Sequence, residues 1–305
     1  MRATGFHQGM RVLSGDVYDA RDICPVCWST EPRKAVFNVQ HDPEIDMLEC
    51  LSCGAFSASQ MPKAELLNLY YGQYYSNVSR NYTLNGPARF AEHILHFMPD
   101  VRQADGLRIL DFGGGDGSLA IAIARCLLNR TNTSSSVTID LVDYAPPREL
   151  ESSEVVIKGH KELSDVQGVF DIIIASAILE HLPDAYSAIH RLTGLANRRA
   201  YMYARTPFVL PIARIIPGID ITYPAHVHDM GSVFWNGFSR TFNLDAYMVS
   251  SRPSLVETTL RYSPVRTVLA HALKLPAHIE QSLVGKNRPL RWNFVGGWEA
   301  VVRFN

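Results

Sequence analysis

The sequence predicts an α/β protein, in which a largely parallel sheet is covered by helices on both faces and a small metal-binding module precedes it. Three observations predict this fold. From residue 107 onward, short apolar runs rich in β-branched residues alternate with helical patterns. A glycine-rich loop joins the first apolar run to the first helical pattern. Before residue 60, four cysteines form two Cys-x-x-Cys pairs.

Five apolar runs are predicted to be the strands of the main sheet, namely LRILDF, VTIDLVD, EVVIK, FDIIIAS and RRAYMYA. SLAIAIARCLL and DAYSAIHRLTGL are predicted to be helices between them. Because strands that alternate with helices pair in parallel through right-handed crossovers, the sheet should be buried on both faces. The tail RWNFVGGWEAVVRF predicts a final strand that a glycine pair interrupts.

Composition divides the chain into three predicted regions. Residues 1–60 are irregular and form the metal-binding module. Residues 61–100 are polar-aromatic and helix-prone, and form a helical linker that covers the ligand of the main domain. Residues 101–305 form that domain, and within it residues 206–240 are predicted to be a lid or substrate loop. The reason is that the segment from 206 to about 230 has four prolines and no clear period.

Charge and hydropathy argue against two classes of partner. The 305 residues include 29 Lys and Arg and 30 Asp and Glu, for a formal net charge of -1. Nucleic-acid binders usually carry a basic surface, so a nucleic-acid partner is not expected. No apolar run approaches the length of a membrane span, and the N-terminus MRATGFHQGM lacks the apolar core of a signal peptide. We therefore expect no membrane segment and a cytoplasmic protein.

The glycine-rich loop DFGGGDGS follows the first predicted strand and opens the first helix. Its glycines allow a sharp bend and the close approach of a ligand. Gly113, Gly115 and Gly117 give the spacing G-x-G-x-G, not the G-x-G-x-x-G of dinucleotide-binding proteins. Asp111 ends the strand just before the loop. A carboxylate there would disfavour a pyrophosphate and would suit a ligand that carries a cationic amine or sulfonium.

A second carboxylate ends the second predicted strand. Asp143 is placed where a carboxylate can accept hydrogen bonds from both hydroxyls of a ribose. Asp140 is the competing residue, but it would alternate with its neighbours inside the strand. The sequence therefore favours Asp143.

The motifs DFGGGDGS, LVDY and FDIIIASAILEHLPD occur in this order within residues 107–205. The series resembles that of class I S-adenosylmethionine-dependent methyltransferases, which have a Rossmann-like sheet. The resemblance implies that Asp111, Gly113, Gly115 and Gly117 lie by the methionine moiety of S-adenosylmethionine. It further implies that the ribose is bound by Asp143 of the LVDY motif beside Tyr144, that Glu162 and Leu163 flank adenine, and that Ser176 and Ala177 lie near the methyl group.

The paired cysteines predict a zinc site. They are Cys24, Cys27, Cys50 and Cys53, with 22 residues between the pairs. Four thiolates at this spacing close a tetrahedral Zn²⁺ site, and a site with four protein ligands is structural, not catalytic. The ion would stabilise a segment that is too short to bury its own core. His41 lies between the pairs and is predicted to be exposed, and Cys126 is predicted to be a buried hydrophobic residue of a helix.

The arrangement of the outer motifs narrows the resemblance. The zinc module, the tyrosines of residues 69–75, the Rossmann-like domain and the GGWE of residues 296–299 follow one another. This order is similar to that of small-molecule methyltransferases of sugar and natural-product biosynthesis, including deoxysugar C-methyltransferases. Those relatives often have a further C-terminal domain for which this chain is too short. O- and N-methylation therefore stay open beside C-methylation.

Three histidines are candidate catalytic residues, because an oxygen nucleophile benefits from a general base. His181 lies just past the fourth predicted strand, at the edge of the sheet where ligands bind. Alternatively, His181 packs within the loop, hydrogen-bonds to the backbone and has no catalytic role. His226 and His228 would point to the same side if their segment is extended. They could act as a base oriented by Asp229, form a second metal site, or have no chemical role.

Tyr75, Arg80 and Tyr82 are candidate substrate residues that would cover the cofactor and shape the acceptor pocket. Clustered tyrosines can equally be packing residues.

The sequence thus favours metal-independent methyl transfer from S-adenosylmethionine to a small polar metabolite, a sugar or natural-product intermediate. One alternative is an RNA or protein methyltransferase whose zinc module recognises the substrate, and the near-neutral charge argues against its RNA version. Another is a non-catalytic binding module, against which the intact glycine loop and its carboxylates argue. The acceptor, the methylated atom and the oligomeric state are not predicted.

Overall fold

A computed structural model describes residues 6–7, 10–77, 86–101, 106–130, 136–144, 147, 154–216, 218–219, 221–255, 263–285 and 288–305. The strands are β1 (Phe6–His7), β2 (Met10–Arg11), β3 (Arg33–His41), β4 (Glu44–Cys50), β5 (Phe56–Ala58), β6 (Leu107–Phe112), β7 (Val137–Val142), β8 (Val155–His160), β9 (Phe170–Ser176), β10 (Ala196–Phe208), β11 (His228–Asp229), β12 (Ala246–Pro253) and β13 (Gly296–Phe304). The α-helices are α1 (Ala64–Asn77), α2 (Pro87–His96), α3 (Ser118–Leu128), α4 (Ala185–Gly194), α5 (Leu210–Ala213), α6 (Ser232–Thr241) and α7 (Pro264–Val284). No helix in this described part of the chain has the length and hydropathy of a membrane span.

The main sheet has seven strands in the order β12-β13-β10-β9-β6-β7-β8. β10, β9, β6, β7 and β8 run parallel, whereas β13 is antiparallel to both of its neighbours. The strand order reverses between β6 and β9, with β7 and β8 on one side and the later strands on the other. In open α/β sheets, ligands bind at the carboxyl ends of the strands at such a switch point.

The apolar runs of the sequence account for this sheet. β6, β9 and α3 match the predicted LRILDF, FDIIIAS and SLAIAIARCLL residue for residue. The isoleucines of β9 are fully buried because one core lies on each face of the sheet. α2 and α3 pack on one face and α4 and α6 on the other. The predicted mixed α/β fold with a Rossmann-like sheet is therefore confirmed.

The N-terminal module contains more regular structure than expected. β3 and β4 form a hairpin between the two cysteine pairs, and β5 pairs with β4. β11, from the middle of the chain, completes this second sheet in the order β11-β5-β4-β3. The irregular module predicted for residues 1–60 is thus a sheet whose last strand comes from elsewhere.

Residues 206–240 are also more ordered than the predicted lid. β10 extends to residue 208, and α5, β11 and α6 fall inside this segment. Ile221, Tyr223, Ala225 and Val227 are buried in one core with residues of β3 and β4. These apolar residues follow a two-residue period, and the prolines obscured that period in the sequence. The segment is therefore packed against the N-terminal module.

At the C-terminus, β13 begins at the glycine pair, so the pair starts the strand and does not interrupt it. Gly297 lies so close to Ser254, the residue after β12, that a Cβ on this glycine would come within 2.7 Å of Ser254 Oγ. β12, α6 and α7 are not among the elements predicted from the sequence.

Candidate active site and cysteine cluster

The glycine loop lies at the switch point of the sheet, between β6 and α3. Gly113 and Gly117 have φ of 73° and 79°, in the left-handed region that favours glycine. A Cβ on Gly113 would also lie 2.6 Å from the side chain of Ile178, which follows β9. Around Gly115, by contrast, a Cβ would meet nothing within 4 Å. The loop is thus tight on the protein side and open at Gly115.

Asp111 is a buried carboxylate at the end of β6. Burial, and then the nearby Asp143, raise the pKa of Asp111 to about 7. Its Oδ2 has no hydrogen-bond partner among the described residues. A Cβ on Gly114 would come within 2.3 Å of this oxygen, so only glycine leaves room there. A buried carboxylate oxygen without a partner is costly unless a ligand supplies a donor, and a cationic amine would supply one.

Asp143 follows β7 and faces the glycine loop. Its Oδ2 accepts a hydrogen bond of 2.8 Å from the Gly115 backbone N–H. Asp140 instead lies within β7 and pairs with Arg108 at 3.1 Å and with His160 at 2.8 Å. Asp140 is thus occupied by structural partners, which supports the choice of Asp143 for the ligand site.

The other predicted cofactor residues lie at the same edge of the sheet. Tyr144 is almost fully exposed beyond β7, and Glu162 and Leu163 follow β8. Ser176 ends β9. Ala177 has a φ of 59°, and its N–H donates to the carbonyl of Arg205 in β10 at 2.8 Å.

Beyond β9, a carboxyl group and two imidazoles converge. One ligand atom from each of Glu180, His181 and His226 lies within 4.8 Å of the other two. The rings of His181 and His226 meet edge to face with their centroids 4.7 Å apart. This group could hold a divalent metal ion or serve as a proton acceptor, because two nitrogens and one carboxylate suit both roles. Glu180 is not among the site residues predicted from the sequence.

The hydrogen bonds of His181 define its tautomer. His181 Nδ1 lies 2.9 Å from the carbonyl of Ala225, which can only accept, so the proton sits on Nδ1 and the lone pair on Nε2. Tyr71 Oη also lies 3.0 Å from this Nδ1. The hydroxyl oxygen of Thr222 lies 2.5 Å from His226 Nδ1 and 2.7 Å from the carbonyl oxygen of Ile221.

Burial sets the charge of the cluster. It lowers the pKa of His181, so this imidazole is neutral near pH 7 and can accept a proton. Burial raises the pKa of Glu180 to about 8. The carboxyl is therefore mostly protonated at pH 7, and its Oε1 lies 3.9 Å from His181 Nε2.

The hydrogen bonds of His228 give it a structural role, although it lines a cavity of about 120 Å³ together with His226. It is buried, its Nε2 donates to the carbonyl of Leu182 at 2.8 Å, and its Nδ1 lies 3.1 Å from Ser57 Oγ. Asp229 accepts from the backbone N–H groups of Val209 and Leu210 and does not orient a histidine. The structure therefore corrects the predicted pairing of His228 with Asp229, because both residues tie the segment to its neighbours.

The family of the chain follows from comparison with known proteins. A family model described as "Methyltransferase domain" matches residues 82–238, which is just over half of the chain. The chain belongs to this family. With the motifs and the sheet described above, it is a class I S-adenosylmethionine-dependent methyltransferase.

Individual relatives cover more than half of this methyltransferase. It is 28% identical over 166 residues to a ubiquinone biosynthesis O-methyltransferase of Xanthomonas campestris pv. campestris (strain B100), covering 53% of this chain and 69% of the relative. A protein of the same name from Xanthomonas oryzae pv. oryzae (strain PXO99A) is 27% identical over 166 residues, which again cover 53% of this chain and 69% of the relative.

Two solved structures are similar to this chain at low sequence identity. The plantazolicin methyltransferase BpumL in complex with a triazolic desmethylPZN analog and SAH matches with a TM-score of 0.48 and 12% identity, covering 79% of this chain and 95% of that one. Coclaurine N-methyltransferase bound to N-methylheliamine and SAH matches with a TM-score of 0.43 and 12% identity, covering 74% and 75%.

The four paired cysteines of the methyltransferase form one cluster. Their sulfur atoms all lie within 4.8 Å of one another, with 4.0 Å between Cys24 and Cys53 and 3.7 Å between Cys27 and Cys50. A tetrahedral zinc ion with Zn–S distances of about 2.3 Å requires sulfur–sulfur distances of about 3.8 Å. The donor set and its geometry therefore fit zinc.

Both cysteine pairs have the same turn. The residue after the second cysteine, Trp28 in one pair and Gly54 in the other, has a φ of 58° or 74°. Its N–H donates to the carbonyl of the first cysteine at 2.8 Å in each pair. Two equivalent turns thus bring the thiols together. His41 is exposed as predicted, and Cys126 is only partly buried on α3.

The cysteine module also supports the histidine cluster. The Ala58 N–H donates to the carbonyl of Val227, and the Val227 N–H donates to the carbonyl of Glu180, both at 2.8 Å. On the other side, the ring of Trp28 stacks on Tyr186 of α4 with centroids 4.4 Å apart. The module therefore fixes the positions of the two segments that carry Glu180 and His226.

Arg80 and Tyr82 lie outside the described residues, as does the side chain of Tyr75 in α1. Their predicted contact with substrate stays a prediction.

Proposed function

We propose that this methyltransferase transfers the methyl group to an oxygen atom of a small polar acceptor, with His181 and His226 as the proton-accepting pair. The observation that carries the proposal is the convergence of two imidazoles and Glu180 directly beyond Ser176 and Ala177. The names of the two Xanthomonas relatives, both O-methyltransferases, support transfer to oxygen.

The cofactor would be held by the predicted residues at the switch point. Asp111 has the buried, unpartnered oxygen that a cationic amine requires, and Asp143 stands at the end of β7 where it can receive ribose hydroxyls. Glu162, Leu163 and Tyr144 would lie along adenine and ribose, and Ser176 and Ala177 near the methyl group. When bound, S-adenosylmethionine supplies an electrophilic methyl group on a sulfonium.

The residues of the chain then have two tasks. They align the acceptor oxygen with the methyl group, since the alignment of reactants accounts for much of the rate of such a displacement. They also accept the proton of the acceptor hydroxyl. His181 Nε2 is suited to this task because the Nδ1–H group donates to the carbonyl of Ala225 and leaves the Nε2 lone pair free to accept a proton.

We further propose that the four cysteines hold a structural zinc ion. All four sulfur atoms face one another, which leaves no coordination position for a substrate. In the domain scheme that we propose, residues 1–60 are the zinc module, residues 61–100 are the linker, and residues 101–305 form the methyltransferase domain. Strand β11, which belongs to the methyltransferase domain, pairs with β5 of the zinc module, so these units depend on each other.

The histidine pair can be tested by substitution. We expect His181→Gln and His226→Gln each to lower kcat by about 10²- to 10⁴-fold, the usual contribution of general acid–base catalysis. The wild-type rate should rise with pH through a pKa below 6.5 and then level off, because the neutral imidazole is the active form. The measurement is kcat against pH, with an acceptor found by a coupled assay for S-adenosylhomocysteine.

His190→Gln is the matched control, since His190 is exposed on α4. S-adenosylhomocysteine affinity should be unchanged in all three variants. Full kcat and an unaltered pH profile in both His181→Gln and His226→Gln would rule out the proposed base.

A further inference from the structure

Three metal-ligating side chains from two distant segments meet at the carboxyl edge of the main sheet, apart from the cysteine cluster. Glu180 and His181 lie in one short turn after β9, and His226 lies just before β11. One ligand atom from each of the three lies within 4.8 Å of the other two. The Val227 N–H donates to the carbonyl of Glu180 at 2.8 Å, and His181 donates to the carbonyl of Ala225 at 2.9 Å. The backbone therefore holds the two segments together.

Glu180 brings a buried carboxyl group to this cluster. The residue is 2% exposed, and its Oε1 lies 3.9 Å from Nε2 of His181. Its Oε2 is buried and has no hydrogen-bond partner among the residues that the structure describes. A buried carboxyl oxygen without a partner is costly, and proteins compensate buried carboxylates by pairing them or by coordinating them to metal ions. Coordination to a cation would remove this cost.

The two imidazoles are oriented in the way that metal-ligating histidines are. His181 uses Nδ1 for the hydrogen bond to Ala225, and its Nε2 lies on the side of Glu180. His226 Nδ1 lies 2.5 Å from the hydroxyl oxygen of Thr222. A histidine that binds a metal ion through one ring nitrogen almost always hydrogen-bonds through the other, because this bond fixes the ring and makes the ligand more basic.

The set of donors indicates the class of ion. Two imidazoles and one carboxylate hold zinc in several enzymes and iron(II) in others, whereas Mg²⁺ and Ca²⁺ prefer oxygen ligands. Zn–N and Zn–O distances of about 2.1 Å place tetrahedral ligand atoms about 3.4 Å apart. Glu180 Oε1 and His181 Nε2, now 3.9 Å apart, would have to approach each other by only about 0.5 Å.

A metal ion can reach this cluster from solvent, which a metal site requires. The side chain of His181 is 22% exposed. His226 is half-buried and lines the cavity of about 120 Å³, which has room for water molecules. Three protein ligands leave a fourth coordination position for such a water, unlike the four thiolates of the cysteine cluster.

We propose that Glu180, His181 and His226, the His–Glu site, bind a divalent transition-metal ion such as Zn²⁺. Of the pairings that the sequence left open, this one joins His226 to His181 and not to His228, both of whose ring nitrogens have other partners. The inference rests on the proposed function, because a metal ion and a proton compete for the same imidazole lone pairs. An ion in the His–Glu site therefore inhibits methyl transfer.

The test is a titration of the protein that already holds one zinc ion per chain, with Zn²⁺ followed by calorimetry and with Co²⁺ followed by absorption. We expect one further ion to bind with a dissociation constant of about 10 µM or less, because imidazole and carboxylate are common ligands of these ions. Bound Co²⁺ should absorb in the visible without the charge-transfer band that thiolate ligands give, which excludes exchange into the cysteine cluster. Mg²⁺ should not compete, since it prefers oxygen ligands.

Variants locate the further ion. Glu180→Gln, His181→Gln and His226→Gln should each weaken its binding at least about tenfold, because each removes one ligand. His190→Gln, at an exposed position of α4, is the matched control and should bind the ion as the wild type does. Affinity for S-adenosylhomocysteine reports on the folding of each variant.

The absence of a further ion in the wild type, or wild-type affinity in all three variants, would overturn the metal site. Added Zn²⁺ should also lower kcat, with half-inhibition near the measured dissociation constant and recovery when the added ion is chelated. Binding that leaves kcat unchanged would overturn the competition. The proposed base fails by a different result, full kcat in His181→Gln and His226→Gln without added metal, so the two failures are distinguishable.

Discussion

Replacing Cys53 by serine should remove the zinc ion, unfold the N-terminal sheet and abolish methyl transfer, although Cys53 contacts no proposed catalytic residue. Structural zinc in small peptide modules contributes about 10–16 kcal/mol to folding at pH 7, and a serine hydroxyl is a poor replacement for a thiolate. The module is coupled to the active site through β5 and β11 and through the hydrogen bond from Val227 to Glu180. Its loss would therefore displace His226 and Glu180.

The measurement combines metal analysis of the purified protein, thermal unfolding and methyl transfer. Cys126→Ser is the matched control, because Cys126 lies on α3 outside the cluster. The control should retain one zinc per chain and near-normal activity. A folded, active Cys53→Ser protein without zinc would contradict the structural role of the metal.

S-adenosylhomocysteine should bind the free protein more weakly as the pH falls below 7. The pKa of Asp111 is raised to about 7 by burial and by Asp143, so the carboxyl is increasingly protonated at lower pH. A cationic amine binds the ionised form, and ligand binding must therefore release a proton. Well below pH 7 the affinity should fall about tenfold per pH unit.

The affinity is to be measured by calorimetry between pH 5.5 and 8 for the wild type and for Asp111→Asn. The asparagine variant should bind more weakly at pH 8 and show little dependence on pH. Other buried carboxyl groups, such as Asp229, are common to both proteins, so the difference isolates Asp111. A wild-type dissociation constant that is constant across this range would refute the ionic contact with Asp111.

The cofactor half of the molecule was predictable because its determinants are local. The apolar runs set β6, β9 and α3, and the spacing of Gly113 and Gly117 reflects the positive φ that each requires. The two Cys-x-x-Cys pairs likewise predict a cluster of four thiols, because a single turn in each pair brings its two cysteines together.

The acceptor half was less predictable because it depends on residues distant in sequence. Glu180 and His226 are far apart in the sequence and meet only in the folded chain. His226 and His228 are two residues apart, yet only His228 is buried against Ser57 of the N-terminal module. No local pattern distinguishes them, because the difference arises from the pairing of β11 with β5.

The most direct test of the account is calorimetric titration of S-adenosylhomocysteine into the purified wild-type protein and into Asp143→Ala. Asp19→Ala, at an exposed position of the N-terminal module, controls for the loss of a carboxylate. We predict one site per chain in the wild type and in the control, with about 10- to 100-fold weaker binding in Asp143→Ala, because hydrogen bonds from ribose hydroxyls to a charged acceptor are lost. No binding to the wild type, or equal affinity in Asp143→Ala, would contradict the placement of the methyl donor at the switch point between β6 and β9.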